Sequence, residues 1–91
     1  QLASGVMIIF AAEEQLNHEL ESAIAAEQWM EAIRLLRLIQ TINPNHPELH
    51  EQLRQAYTAY GDQLIAQGRP DLAQEQYQQA QLLVAPGAPV H

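Results

Sequence analysis

The chain has no cysteine and no lysine, and its strong bases are Arg34, Arg37, Arg54 and Arg69. Without cysteine there can be no disulfide, no thiolate zinc site and no cysteine nucleophile, and the redox compartment stays open. The four arginines stand against 11 acidic residues, leaving a formal net charge of −7. Such a surface repels phosphate, which argues against nucleic acid and anionic membranes and in favour of basic partners. The same charge also serves solubility. Long hydrophobic runs are missing too. The apolar stretch from Ala3 to Ala12 is too short for a bilayer, which needs about 20 residues. It also lacks the basic flank of a signal peptide.

No segment alternates with the period of a strand for long, and what fills the chain is helical periodicity. Leu16, Leu20 and Ala23/Ile24 recur at four- and three-residue steps, with Glu13, Glu14, Glu19 and Glu21 on the other faces. Trp29, Met30, Ile33, Leu36 and Ile39/Ile42 repeat the pattern. Leu49, Leu53, Ala56/Tyr57, Tyr60 and Leu64 do so again, followed by Leu72/Ala73, Tyr77, Ala80 and Leu83/Val84. Four amphipathic helices are expected. The glutamines at 74, 76, 78, 79 and 81 suit a solvated helix face.

Turn chemistry separates the helices. Asn43-Pro44-Asn45-His46-Pro47 ends the second and opens the third, with Asn45 and Glu48 spaced as a capping box and Pro47 in the first turn. Gly68 suits a left-handed close to helix three, and Pro70 starts helix four. The break at Glu27-Gln28 has no strong breaker and is placed by helical phase. Ala85-Pro86-Gly87-Ala88-Pro89 cannot continue a helix. Short loops make neighbouring helices antiparallel, so the expected class is all-α, two antiparallel helical hairpins preceded by an apolar N-terminal segment.

Comparing the hairpins exposes an offset of 41 residues: Trp29-Met30-Glu31-Ala32 aligns with Pro70-Asp71-Leu72-Ala73, and Ala32, Leu36 and Ile39 overlie Ala73, Tyr77 and Ala80. At these residues the sequence resembles tetratricopeptide repeats. The second unit matches better, with Gly61 at the small position of its first helix, Gly68 at the turn glycine, and Ala73, Tyr77 and Ala80 in its second helix. Pro86 falls one residue late for the closing proline. The first unit keeps Trp29, Ala32, Leu36 and Pro44, and departs at Leu20, Glu27 and Ile39. Read this way, residues 1–12 are the apolar segment, a helix capping the first hairpin or else the remnant of a tether, 13–46 and 54–85 the two units, 47–53 a helix extension and 86–91 an exit linker. The family period is 34, and the seven extra residues amount to about two helical turns. Helix three is therefore expected from about Glu48 to Gln67, with Leu49 and Leu53 on an overhang that needs cover.

The resemblance implies an α-solenoid fragment whose first helices bind a partner peptide or subunit. Carried onto this chain, that face holds Glu14, Asn17, His18, Glu21 and Ile24 from unit one, and Gln55, Thr58, Asp62 and Ile65 from unit two. The partner-binding set is Glu14, Asn17, Glu21, Ile24, Thr58, Asp62 and Ile65. Its acids speak against the carboxylate grip known in the family. The implied activity is that of an adaptor or scaffold, without catalysis, cofactor or metal, for a protein partner of basic character or a second copy. The alternative is a structural subunit or membrane-tethered domain. Starting at Gln1, the chain reads as a piece of a longer one, and membrane association would run through residues 2–12 alone.

Two constellations point to chemistry less well than to plain helix surfaces. His46 and His50 are four apart with Glu51 adjacent, but Pro47 places His46 at or before the helix cap, off the face of His50. The paired glutamates could serve acid–base chemistry, yet nothing implies a cleft or a partner group. The spacing of Trp29, Tyr57, Tyr60 and Tyr77 suits hairpin packing.

Overall fold

The computed structural model describes residues 2–83 and, for 2–10, the backbone alone. Four helices follow one another: α1 (Leu2–Ala25), α2 (Trp29–Ile42), α3 (Leu49–Ala66) and α4 (Pro70–Gln81). No strand occurs among the described residues. The protein is all-α, in two compact units, one reaching to Leu49 and the other starting at His50.

In the first unit α1 packs on α2. Leu20 and Ala23 of α1 are buried, as are Ala32, Leu35, Leu36 and Ile39 of α2. Each such leucine or isoleucine contributes about 1.5–3 kcal/mol through burial. The chain reverses at Glu27, which takes a left-handed φ of 56°. The Glu27 N–H donates to the Ile24 carbonyl and the Gln28 N–H to that of Ala23, a Schellman close to α1. A glutamate here replaces the usual glycine, which is why the turn was placed by phase alone.

In the second unit Leu53, Ala56, Tyr57 and Leu64 of α3 are buried, with Ala73 and Ala80 of α4. Gly68 reverses the chain at φ 76°. Its N–H donates to Ile65 and the Arg69 N–H to Leu64, the bonds of the first turn shifted by 41 residues. The shift extends into the next helices: the Ala32 N–H donates to the Gln28 carbonyl, and that of Ala73 to Arg69. Pro70 occupies the start of α4, as expected, where its missing N–H costs nothing.

One expectation about the linker needs correction. Helix three begins at Leu49, close to the expected start, but no capping box opens it. Glu48 has a left-handed φ of 62°, so it cannot be the third helical residue, and Pro47 lies in the preceding turn. The Asn45 N–H instead donates to Oδ1 of Asn43, and the His46 N–H to the Asn43 carbonyl. Leu49 and Leu53, expected to need cover, are 2% and 0% exposed. The backbone of α1 runs as one helix from Leu2 to Ala25. What its side chains from Leu2 to Phe10 meet lies outside the described residues, as does the exit linker.

Candidate interaction faces

On α1, Glu14, Asn17, Glu21 and Ile24 follow one another at steps of three and four, so one face of the helix carries all four. Glu14 and Glu21 are exposed and Asn17 is half-buried. Ile24 is 36% exposed, an apolar side chain with no place in the core. On α3, Thr58, Asp62 and Ile65 share a face in the same manner, and Ile65 is 51% exposed. Each helix thus brings its own candidates together, and the two sets stand 41 residues apart at Asn17/Thr58, Glu21/Asp62 and Ile24/Ile65.

Two of the α3 candidates are already engaged within their own unit. The Thr58 hydroxyl donates to the Arg54 carbonyl at 2.9 Å, one turn back. Asp62 accepts the Tyr77 hydroxyl through Oδ1 at 2.6 Å. That bond, followed by partial desolvation and the repulsion of the same Asp62 carboxylate, raises the Tyr77 hydroxyl above the ordinary tyrosine range. The Tyr77 ring lies on Gly61: a β-carbon there would stand 2.5 Å from Cε1 and 2.9 Å from Cδ1 and Cζ. Gly61 meets the Tyr77 ring, while buried Ala80 lines an open groove with Arg54, Thr58, Tyr77 and Gln81, about 330 Å³ in volume. Arg54 is paired with Glu51, which lowers the Glu51 carboxyl and raises the guanidinium, each chiefly through that hydrogen bond.

A second groove, about 400 Å³, lies between α1 and α2 beside the Glu27 turn. Ala23, Ala26 and Leu35 supply apolar lining, and Glu19, Glu31 and His18 polar lining. Glu31 is held by Arg34, whose hydrogen bonds lower the carboxyl and raise the guanidinium. Glu19 accepts a bond from the neutral Gln15 amide at 3.1 Å.

What sequence reading missed is a contact joining Glu13, Asn43 and His46. His46 Nδ1 lies 2.8 Å from Glu13 Oε2, and Asn43 Nδ2 donates to the same oxygen at 3.3 Å. The His46 and Glu13 side chains are 17% and 16% exposed. His46 is therefore neither a helix cap nor one of two histidines on a helix: it ties the loop after α2 to α1. Among the described residues no three His, Asp or Glu side chains gather so as to hold a metal ion. No helix there is long and apolar enough to cross a membrane.

No protein-family model, curated protein or solved structure matches the chain.

Proposed function

We propose that the chain is a protein-interaction module, a tetratricopeptide-like adaptor or scaffold in which the first helix of each hairpin offers a binding face. The observation that carries this reading is the pairing of an exposed isoleucine with a carboxylate one turn away, on α1 (Glu21, Ile24) and again on α3 (Asp62, Ile65). Exposed isoleucine gains by being covered, and carboxylates beside it select a basic partner segment. The identical turn bonds, 41 residues apart, support reading the hairpins as copies of one unit. Neither face offers a nucleophile–base pair, so binding accounts for the residues present better than catalysis does.

The test compares the intact chain with Glu14→Gln, Glu21→Gln and Asp62→Asn combined with Ile24→Ser and Ile65→Ser. A partner cross-linked from extracts of the source cells should be bound by the first protein and lost by the second, in a salt-sensitive way and at unchanged helical circular dichroism. Equal binding by both proteins overturns the proposal.

A second reading, an assembly or tethering element, is favoured by the extent of α1. Glu13 meets the loop that follows α2, and α1 runs on from Glu13 to Leu2 through the apolar sequence. That sequence would be the anchor for a second copy, a larger assembly or a membrane surface.

A further inference from the structure

We propose that the outer stripe of α2, formed by Met30, Arg34 and Leu38, docks on the α1 face of a second copy of the chain. This rests on the interaction-module reading and names the partner of its first unit. Met30, Arg34 and Leu38 are four residues apart, so they share one face of α2. Met30 is 65% exposed and Leu38 41%, and the Arg34 side chain between them is exposed as well. Arg37 adds its charge to the same side, half-buried and bonded to Gln40. Of the four helices, α2 alone carries more arginine than acid, Arg34 and Arg37 against Glu31. An acidic chain thus holds one stripe of the basic and apolar character that its own α1 face selects.

The two stripes match in length and in order. The one on α1 runs from Glu14 to Ile24 and the one on α2 from Met30 to Thr41, each about 15–17 Å of helix at 1.5 Å per residue. Laid antiparallel, Ile24 meets Met30, Glu21 meets Arg34, and Asn17 stands opposite Arg37. Glu14 comes to Thr41, whose hydroxyl already donates to the Arg37 carbonyl, and finds no cation there. Arg34 is bonded to Glu31 through Nε and Nη2, and Glu19 acts on it through its field. An exposed pair within one helix is worth little, and Nη1 takes no part in it, so donors remain for a second carboxylate. On α3 the corresponding Asp62 is already engaged by Tyr77, which makes α1 the better receptor. The stripes are different surfaces, so the contact is heterologous. Each copy keeps one stripe open, and association continues beyond a pair.

The test is sedimentation of the full chain across rising concentration, at low and at high salt. The average mass should climb in the micromolar-to-millimolar range and fall back with salt. Glu21→Gln should weaken association about two- to fivefold, the range for one exposed ion pair, and Glu14→Gln should leave it unchanged. Met30→Ser with Leu38→Ser, which changes no charge, should abolish it. Glu21→Arg and Arg34→Glu should each be monomeric alone, and their equimolar mixture should associate as the wild type does, because the reversed charges meet across the contact. Mixing cannot restore a misfolded chain, and helical circular dichroism of each variant checks the same point. A mixture of folded variants that stays monomeric overturns the pairing of Glu21 with Arg34. A wild type that is monomeric at every concentration overturns self-docking and leaves the interaction reading standing, because that reading is tested on a foreign partner. Association that survives Met30→Ser with Leu38→Ser but is lost on removing residues 1–9 overturns the α2 stripe and assigns the contact to the apolar run.

Discussion

Gly61 and Gly68 have opposite reasons for lacking a side chain. At Gly68 the space is open, with nothing within 4 Å of an added β-carbon, but φ is 76°. The cost of Gly68→Ala is therefore conformational, about 1–2 kcal/mol, partly offset by the lower entropy of the unfolded alanine chain. A net loss of about 1 kcal/mol should appear as a lower urea midpoint at unchanged slope. Glu27→Gly tests the same strain in reverse and should raise the midpoint by less, because Glu27 has an interaction of its own to lose. At Gly61 the backbone is helical and alanine would gain about 1 kcal/mol of propensity. The methyl, however, collides with the Tyr77 ring. Overpacking costs about 1–3 kcal/mol, so Gly61→Ala should be net destabilising or neutral despite its better propensity. Gly61→Ala in a Tyr77→Leu background should stabilise instead, and a loss of equal size in both backgrounds would remove Tyr77 as the cause.

The Tyr77–Asp62 bond gives that clasp a pH dependence with a definite sign. The neutral hydroxyl donates to the carboxylate, whereas tyrosinate can only be repelled by it. A folded value above the unfolded one means that the folded state holds its proton longer. The bond's contribution is then fully present below about pH 10, the ordinary tyrosine value, and is lost as pH rises through the higher folded value. Absorbance of tyrosinate at alkaline pH reads this directly. Asp62→Asn should move the Tyr77 component to lower pH, and Tyr77→Phe should delete it. A titration identical in the wild type and Asp62→Asn would mean that the carboxylate is not the cause.

At the scale of elements, periodicity carried most of the information, and turn chemistry carried less. Apolar steps of three and four residues placed all four helices, because burying one face fixes both period and phase. The α1–α2 turn was legible only through phase, since Glu27 pays a conformational cost that a glycine would avoid. The linker misled because Asn45-His46-Pro47-Glu48 has the letters of a capping box. The tertiary contacts of Asn43 and His46 with Glu13 set the chain's path instead, and Glu48 turns left-handed. That contact had one faint sign in the sequence. Glu13 lies fourteen residues before Glu27 and Asn43 sixteen after it, so an antiparallel hairpin folded at Glu27 brings them to one level. Glu13→Ala should loosen the loop: amide exchange at His46 and Leu49 should accelerate while α4 is unaffected. Unchanged exchange at both amides would reduce the tie to a surface contact.

At the scale of the whole molecule, the interaction and tether readings divide over the first third of the chain. Val6, Met7, Ile8, Ile9 and Phe10 form an apolar run within α1, and burial of each larger side chain is worth about 1.5–3 kcal/mol. An uncovered run of that kind would drive association or adsorption. Removing residues 1–9 separates the outcomes while leaving Glu13 inside the helix, so the tie to Asn43 and His46 can persist. If the run packs within this chain, the shortened protein should melt at lower temperature and sediment as a monomer, as the intact one does. If the run serves a second copy or a membrane surface, the two proteins should melt nearly together under dilute conditions. The intact chain alone would then form larger species or partition into detergent micelles. The net charge of −7 adds a control, since it opposes adsorption to anionic lipid and not to neutral micelles. Sedimentation, thermal melts and micelle partitioning on both proteins decide between them. A monomeric, detergent-indifferent intact chain that is destabilised by the truncation would end the tether reading.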